Sequence, residues 1–354
     1  MQKRLVSIEQ CVGSALSHDL TRIIPGQVKE TAFKKGHVVR ENDLPLLKDM
    51  GRRNLYVLTL GADDLHENVA AAQLARMMSG QGLVIGEAAE GKVNLTAGRN
   101  GLLKVNAKAL ASLNAVNDLA VSTLHTNTPC QKGELVAAAK IVPLVVSRGA
   151  LERAKNICAR MGLILEVKPF LPLQVGAVIT GSEIVSGRVR DGFDLAVRPR
   201  LAAYGASLLD KVQVGDDPAR IAEAIAAFAG RGADMVLVTG GLSVDPDDRT
   251  RLGVRKVGAR QVFYGTPVLP GAMFLYALLG SVPVLGLPAC VFYNHRTVFD
   301  LLLPRFMAGE RPTRAQIWAL GHGGLCRLCD ECDFPRCSFG KGGPRQRQAA
   351  RSKP

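Results

Sequence analysis

The sequence predicts an α/β protein whose C-terminal half is a doubly wound sheet with helices on both faces. From Leu173 onward, short apolar runs alternate with helical segments. One of these runs, Met235–Val238, is continuously apolar, as in strands buried on both faces of a parallel sheet. We therefore assign residues 173–310 to one α/β domain.

The composition is that of a globular chain with a basic balance. Its 354 residues suggest two or three domains, with 47% hydrophobic and 21% charged residues. The net charge of +14 favours anionic partners such as phosphorylated small molecules. Only 5% of residues are aromatic and the basic residues are dispersed, so nucleic acid is not favoured.

The N-terminus resembles no export signal, because Glu9, His18 and Asp19 precede any long apolar stretch. Residues 261–294 lack charge, but four prolines there argue against a membrane-spanning helix. We expect a cytoplasmic protein that does not enter the membrane. In that compartment the eight cysteines are not expected to form disulfides.

Two regions precede the α/β domain. Residues 1–80 form an N-terminal accessory region with a predicted first helix around Ile8–Leu16, a strand at Leu55–Leu60 and a helix at His66–Ser79. Residues 81–172 form a small β-rich module with one terminal helix, Gly149–Met161.

Within the α/β domain, strands are predicted at Val175–Thr180, Leu208–Val214, Val236–Val238, near Val262 and at Val282–Leu287. Helices are predicted at Asp191–Tyr204, from Asp217 to Gly230, after Asp248, and at Asn294–Met307. The Asp217-Pro218 pair supplies an N-cap followed by proline at the first helical position.

Two strand ends carry loops of the same kind, Thr180–Glu183 and Thr239–Gly241. Glycine lets the backbone take positive φ and lets its N–H groups approach a ligand closely. Ser243 and the carboxylates of Asp245, Asp247 and Asp248 follow the second loop. This mixture suits phosphate with a hard metal ion, the alternative being a glycine turn before a solvated acidic loop.

The ordered set of motifs resembles the molybdopterin-binding domain shared by molybdopterin molybdenumtransferases, molybdopterin adenylyltransferases and competence-damage-inducible proteins. The motifs are TGSEI at Thr180–Ile184, Asp191, GDDP at Gly215–Pro218, TGGLSVDPDD at Thr239–Asp248, PG at Pro270–Gly271 and GLP at Gly286–Pro288. The resemblance implies that the ligand is molybdopterin or its adenylate. It also implies that the N-terminal region of the chain corresponds to the first domain of the molybdenumtransferase type.

The resemblance also implies roles for individual residues. The catalytic acidic positions, around phosphate, molybdate and Mg²⁺, are Glu183, Asp217 and Asp248. The cofactor-binding positions are Thr180, Gly181, Ser182, Asp191, Thr239, Gly240, Gly241, Ser243, Pro270, Gly271 and Pro288. Carboxylates beside a bound phosphate repel it unless a cation lies between them, which is consistent with Mg²⁺.

The chain departs from the transferase pattern in three places. Ala272 stands where those enzymes usually have Lys, and Gly286–Val291 reads GLPACV instead of GLPGNP. We do not expect the usual C-terminal β domain, because only 47 residues follow Met307. These departures keep open a non-catalytic carrier that delivers the cofactor to a client metalloenzyme.

Residues 311–354 form a Cys-rich segment with a basic tail. Cys326, Cys329, Cys332 and Cys337 follow a C-x2-C-x2-C-x4-C spacing. This spacing predicts a metal site, either an iron–sulfur cluster or Zn²⁺, the alternative being incidental thiols.

We therefore expect a protein of molybdenum or tungsten cofactor biosynthesis that promotes metal insertion. A nucleotide pyrophosphatase of the competence-damage-inducible type is a second enzymatic reading. The expected partners are molybdopterin, molybdate or tungstate, a client molybdenum or tungsten enzyme, and further copies of the chain in a homo-oligomer.

Overall fold

The computed structural model describes residues 2–14, 16–59, 63–243, 245–246 and 248–342. Ala15, Asp247 and the basic tail from residue 343 onward lie outside these ranges. The chain divides into two compact units, the first made of residues 1–99, 103–124 and 130–167, the second of residues 100–102, 125–129 and 168–354. Within the described ranges, no helix is both long and apolar enough to cross a membrane.

The first unit begins with a small region of its own core. Its elements are β1 (Gln2–Ser7), β2 (Leu20–Ile24), β3 (Val28–Phe33), α1 (Leu44–Asp49) and β4 (Asn54–Thr59). β1 pairs antiparallel with β4, and β2 with β3. The predicted first helix is wrong: only Ile8–Gln10 form a 3₁₀ turn, and Gly13, with φ of 81°, ends helical geometry soon after.

The β-rich module follows, and most of its residues belong to the first unit. Its elements are β5 (Asp64–His66), α2 (Glu67–Met78), β6 (Leu83–Ile85), β7 (Lys92–Ala97), β8 (Gly101–Val105), α3 (Ala107–Asn114), β9 (Leu119–Thr123), β10 (Pro129–Cys130), β11 (Leu135–Ile141), β12 (Val145–Ser147), α4 (Arg148–Met161) and β13 (Leu165–Pro169). Strands β6-β7-β11-β9 form an antiparallel sheet. Helix α2 packs in the same hydrophobic core as this sheet. The core therefore contains residues of both predicted regions, 1–80 and 81–172.

The second unit holds the α/β domain. Its elements are β14 (Gln174–Thr180), α5 (Ser182–Val185), α6 (Phe193–Ala196), α7 (Arg198–Ala202), β15 (Ser207–Val214), α8 (Pro218–Gly230), β16 (Met235–Thr239), α9 (Thr250–Lys256), β17 (Arg260–Tyr264), β18 (Leu275–Leu279), β19 (Val282–Leu287), α10 (Val298–Met307) and α11 (Arg314–Trp318). The sheet order is β15-β14-β16-β19-β18-β17. The first four strands are parallel, whereas β18 runs antiparallel to β19 and β17.

Alternating side chains of the central strands enter two different cores. Met235 and Leu237 lie in the core that includes α10, while Val236 and Val238 lie in the core formed with α8 and α9. The predicted two-faced burial of this strand is confirmed, and its carboxyl end is fixed from both sides.

Two predicted helices have different bounds. The predicted helix Asp191–Tyr204 is split into α6 and α7, because Pro199 has no N–H group to bond back to the preceding turn and so favours the start of a new helix. Helix α10 begins at Val298 instead of Asn294, where Thr297 and Asp300 form a capping box.

Candidate functional site

The site lies where the parallel strands end, and its centre is a hydrogen-bonded pair of loops. The Thr180 hydroxyl donates to the Thr239 carbonyl oxygen at 3.0 Å and lies 3.1 Å from the Thr250 hydroxyl. The Thr250 hydroxyl in turn donates to the Gly240 carbonyl oxygen at 2.9 Å. All three threonines are buried, so these bonds hold the two predicted loops together away from water.

The glycines of the second loop are required by packing as well as by backbone geometry. Gly240 and Gly241 have φ of 87° and 55°. A Cβ on Gly240 would lie 2.4 Å from the Thr180 carbonyl oxygen, and one on Gly241 would lie 2.6 Å from Thr250 Oγ1. A side chain at either position would therefore push the two loops apart.

The second loop also presents backbone donors. Among the described residues, the N–H groups of Gly241, Leu242 and Ser243 donate to no protein acceptor. Ser243 is exposed, so its hydroxyl is open to solvent. Successive free N–H groups at a strand end form a cradle suited to one phosphate.

Two further predicted loops lie at the same edge. Val298 N–H donates to the Pro270 carbonyl oxygen at 3.0 Å, and the Thr266 hydroxyl donates to that of Gly271, also at 3.0 Å. Gly271 has φ of 126°, and a Cβ there would lie 2.5 Å from Val298 Cγ1. Pro288 follows β19 and begins a 3₁₀ turn over Ala289–Phe292.

The predicted acidic residues occupy separate positions. The Glu183 side chain turns back toward Gly181, where a Cβ would lie 2.6 Å from Glu183 Oε1. The Asp217 carboxylate accepts from Ala219 N–H at 2.8 Å as the cap of α8, and Asp248 is half-buried in the loop after β16. Within the described ranges, no three or more His, Cys, Asp or Glu side chains are grouped so as to hold a metal ion.

Two other carboxylates have clear structural partners. Asp191 accepts from Phe193 N–H at 2.8 Å and lies 2.6 Å from Lys211 Nζ, a lysine that it shares with Asp194. Asp216 accepts from both the N–H and the hydroxyl of Ser182 at 2.8 Å. Sequence reasoning passed over Asp216, although its place in the GDDP motif beside Asp217 was a signal.

The cysteine segment, residues 324–342, is built onto the α/β domain. Leu269 N–H donates to the Gly324 carbonyl oxygen at 2.9 Å, and Cys326 N–H donates to that of Leu269 at 2.8 Å. His125 Nε2 lies 3.0 Å from the Gly342 carbonyl oxygen at the other end. The segment is therefore bonded to the residue that precedes the Pro270-Gly271 loop.

The four cysteines line one cavity of about 410 Å³, here called the thiol pocket. Cys326 and Cys337 are half-buried against the domain core, whereas Cys329 and Cys332 are exposed. The opposite wall is the loop Tyr293–Arg296, which follows β19.

Comparison with known proteins agrees with this geometry. The family described as "Probable molybdopterin binding domain" matches residues 176–308, and a "Domain of unknown function (DUF8806)" matches residues 5–59. A molybdopterin molybdenumtransferase of Haemophilus influenzae is 30% identical over 148 residues, which are 40% of this chain and 36% of that protein. A CinA-like protein of Mycobacterium sp. (strain MCS) is 32% identical over 93 residues, which are 26% of this chain and 22% of that protein.

The chain thus spans between 22% and 36% of the length of these curated relatives. Among solved structures, it is similar to a tungsten cofactor synthesizing protein MoaB from Pyrococcus furiosus, with 18% identity and a TM-score of 0.31 over 38% of this chain and 90% of that chain. The family match and the loops at the strand ends cover the same residues. Residues 176–308 therefore form a molybdopterin-binding domain, of the type found in molybdenum cofactor biosynthesis.

Proposed function

We propose that this chain binds molybdopterin or its adenylate and promotes the insertion of molybdenum or tungsten into it. The observation that carries the proposal is the bonded pair of loops at Thr180 and Thr239, with three free N–H groups beside them. Phosphate is the part of this ligand that such a cradle accepts. The transferase of Haemophilus influenzae, which is 30% identical over 148 residues, supports the same reaction class.

The acidic residues would act through Mg²⁺. Magnesium sites that include a phosphate commonly use only one or two carboxylates. Asp248 fits this pattern, because it is half-buried in the loop that carries the free N–H groups. Glu183 is the next candidate, whereas Asp217 would have to leave its cap on α8. The ion would supply positive charge that neutralises the phosphate.

The insertase proposal is tested by AMP release from molybdopterin adenylate, with and without molybdate or tungstate. Asp248→Asn should lower the rate by at least about 100-fold if its carboxylate supports charge in the transition state. Asp210→Asn is the matched control, since Asp210 pairs with Gly176 in the sheet register, away from the carboxyl ends of the strands. If AMP is not released, or is released equally fast by both variants, the insertase proposal is refuted and the non-catalytic carrier is the remaining candidate.

The carrier is the second candidate, and specific residues favour it. Ala272, Ala289 and Cys290 replace residues that would help bind oxyanion and phosphate. In the carrier, the adenylate should remain bound and intact when oxyanion is added. A nucleotide pyrophosphatase, suggested by the resemblance to competence-damage-inducible proteins, would instead hydrolyse free dinucleotides in the same assay.

The metal at the four cysteines stays a prediction. A closed iron–sulfur or Zn²⁺ site needs the exposed Cys329 and Cys332 to move toward the half-buried Cys326 and Cys337. Protein purified without oxygen should then contain iron with labile sulfide, or stoichiometric zinc, which is lost in a Cys329→Ser, Cys332→Ser double variant. Metal-free protein with four titratable thiols would contradict this prediction.

We further propose that the chain acts in the cytoplasm as a homo-oligomer and serves a molybdenum or tungsten enzyme. Light scattering of the full chain tests the oligomeric state. Co-purification with a molybdenum or tungsten enzyme from the native cells tests the client.

A further inference from the structure

The thiol pocket adjoins the same sheet edge as the phosphate loop. β18 begins at that edge, since Leu275 pairs with Gly286 near the end of β19, and β19 is the neighbour of β16. The pocket is anchored there through Cys326, whose N–H donates to the carbonyl oxygen of Leu269, the residue before the Pro270-Gly271 loop. A small substrate in the pocket would therefore lie at the same sheet edge as a ligand whose phosphate occupies the Thr239 loop.

The pocket contains one cation that is held in place. Arg296 Nη1 pairs with Asp300 Oδ1 at 3.0 Å, and its guanidinium lies 5.2 Å from the centre of the Phe334 ring. Arg296 Nε is buried and has no hydrogen-bond partner among the described residues. Asp300 is also paired with Arg200 at 3.4 Å, so two guanidinium groups share one buried carboxylate and one positive charge remains.

Other charges around the pocket count for less. Arg327, Asp330 and Asp333 also line it, but all three are exposed and are screened by water and salt. The half-buried Arg296 is screened less than these exposed groups, so its charge acts more strongly on a ligand in the pocket. An anion is the better fit.

The thiols add selectivity among anions. Sulfate and molybdate are both tetrahedral dianions, but only molybdate and tungstate readily exchange an oxygen for sulfur. In the protonated oxyanion, a thiol can displace hydroxide: a metal–sulfur bond forms, the metal–oxygen bond breaks, and the thiol proton leaves with the oxygen as water. No oxidation state changes.

We propose that, in place of a resident iron–sulfur cluster or Zn²⁺, the thiol pocket takes up the metal oxyanion, with Arg296 binding the anion and Cys329 and Cys332 exchanging onto the metal. This rests on the proposed function, because it names where that reaction takes up its metal. Arg296 thereby supplies a positive charge in place of the Lys that the transferases usually have at the position of Ala272. It does so from a different loop at the same sheet edge.

The test is calorimetric titration of the reduced full chain with molybdate, tungstate and sulfate. Molybdate or tungstate should bind at one site per chain, at least about 10-fold more tightly than sulfate. Arg296→Gln should weaken this binding by about 10-fold or more, the range for losing a hydrogen bond to a charged group. Arg327→Gln, which removes an exposed charge from the same pocket, should change it by less than about 3-fold.

A second variant is needed because Arg296→Gln removes the ion pair with Asp300 and could disturb the fold there. The Cys329→Ser, Cys332→Ser double variant leaves the Arg296–Asp300 pair intact, and it should lose the preference for molybdate over sulfate. The proposal is overturned by equal binding of sulfate and molybdate, by equal effects of the two arginine variants, or by a resident metal that must be removed before oxyanion binds. Molybdopterin affinity is measured separately: its absence, with oxyanion binding intact, would refute the proposed function and leave the pocket assignment standing.

Discussion

Replacing Gly241 by Ala tests whether the bonded pair of loops is as tightly packed as the structure shows. The new Cβ would lie 2.6 Å from Thr250 Oγ1, and φ at this position is 55°. A left-handed backbone costs a non-glycine residue about 1–2 kcal/mol. Overpacking adds about 1–3 kcal/mol, so the free energy of unfolding should fall by about 2–5 kcal/mol.

Gly232 is the matched control. Its φ is 83°, but a Cβ there would meet nothing within 4 Å, so Gly232→Ala should incur the backbone cost alone. Both variants are unfolded in urea and followed by the fluorescence of Trp318, the single tryptophan, which lies in the second unit. A Gly241→Ala, Thr250→Ala double variant should destabilise by less than the sum of the single changes, because the crowding atom is gone.

Tight packing of the loop pair is refuted if Gly241→Ala costs no more stability than Gly232→Ala, or if the effects of Gly241→Ala and Thr250→Ala simply add in the double variant. Either result would mean that the loop moves to accept the methyl group, and that glycine at 241 serves the ligand alone.

Two other predictions concern charged groups. Burial lowers the pKa of His66, whose Nδ1 accepts from Asn68 N–H, so the unfolded chain binds a proton more readily. The free energy of unfolding of the first unit should be greatest at pH values above the unfolded-state pKa of about 6.5, and it should fall as the pH drops through that value. In urea titrations at several pH values, the His66→Gln variant should lose part of this pH dependence. Lys211→Met should lower stability by about 2–3 kcal/mol, because it leaves the buried Asp191 carboxylate without its partner as well as removing one partner of the exposed Asp194. Arg198→Met, which removes only the exposed pair with Asp194, should change stability by under about 0.5 kcal/mol in the same urea assay. A smaller loss in Lys211→Met than in Arg198→Met would show that water already reaches Asp191.

Local sequence patterns were sufficient for the α/β domain because each of its signals lies within a few residues. The apolar run at Met235–Val238 identified a strand buried on both faces, and Asp217-Pro218 identified the start of α8. The antiparallel strand β18 was missed, since it belongs to a long apolar stretch with no alternation to mark it.

The order of the glycine motifs by itself indicated a molybdopterin-binding domain over residues 173–310, and the matching family covers residues 176–308. Which side chains are available to a ligand depended on the tertiary structure, because hydrogen-bond partners come from distant parts of the chain. Asp191 pairs with Lys211, Thr180 bonds to Thr250, and Arg200 pairs with Asp300. No local pattern encodes such pairs, since each is made only when the sheet brings its two loops together.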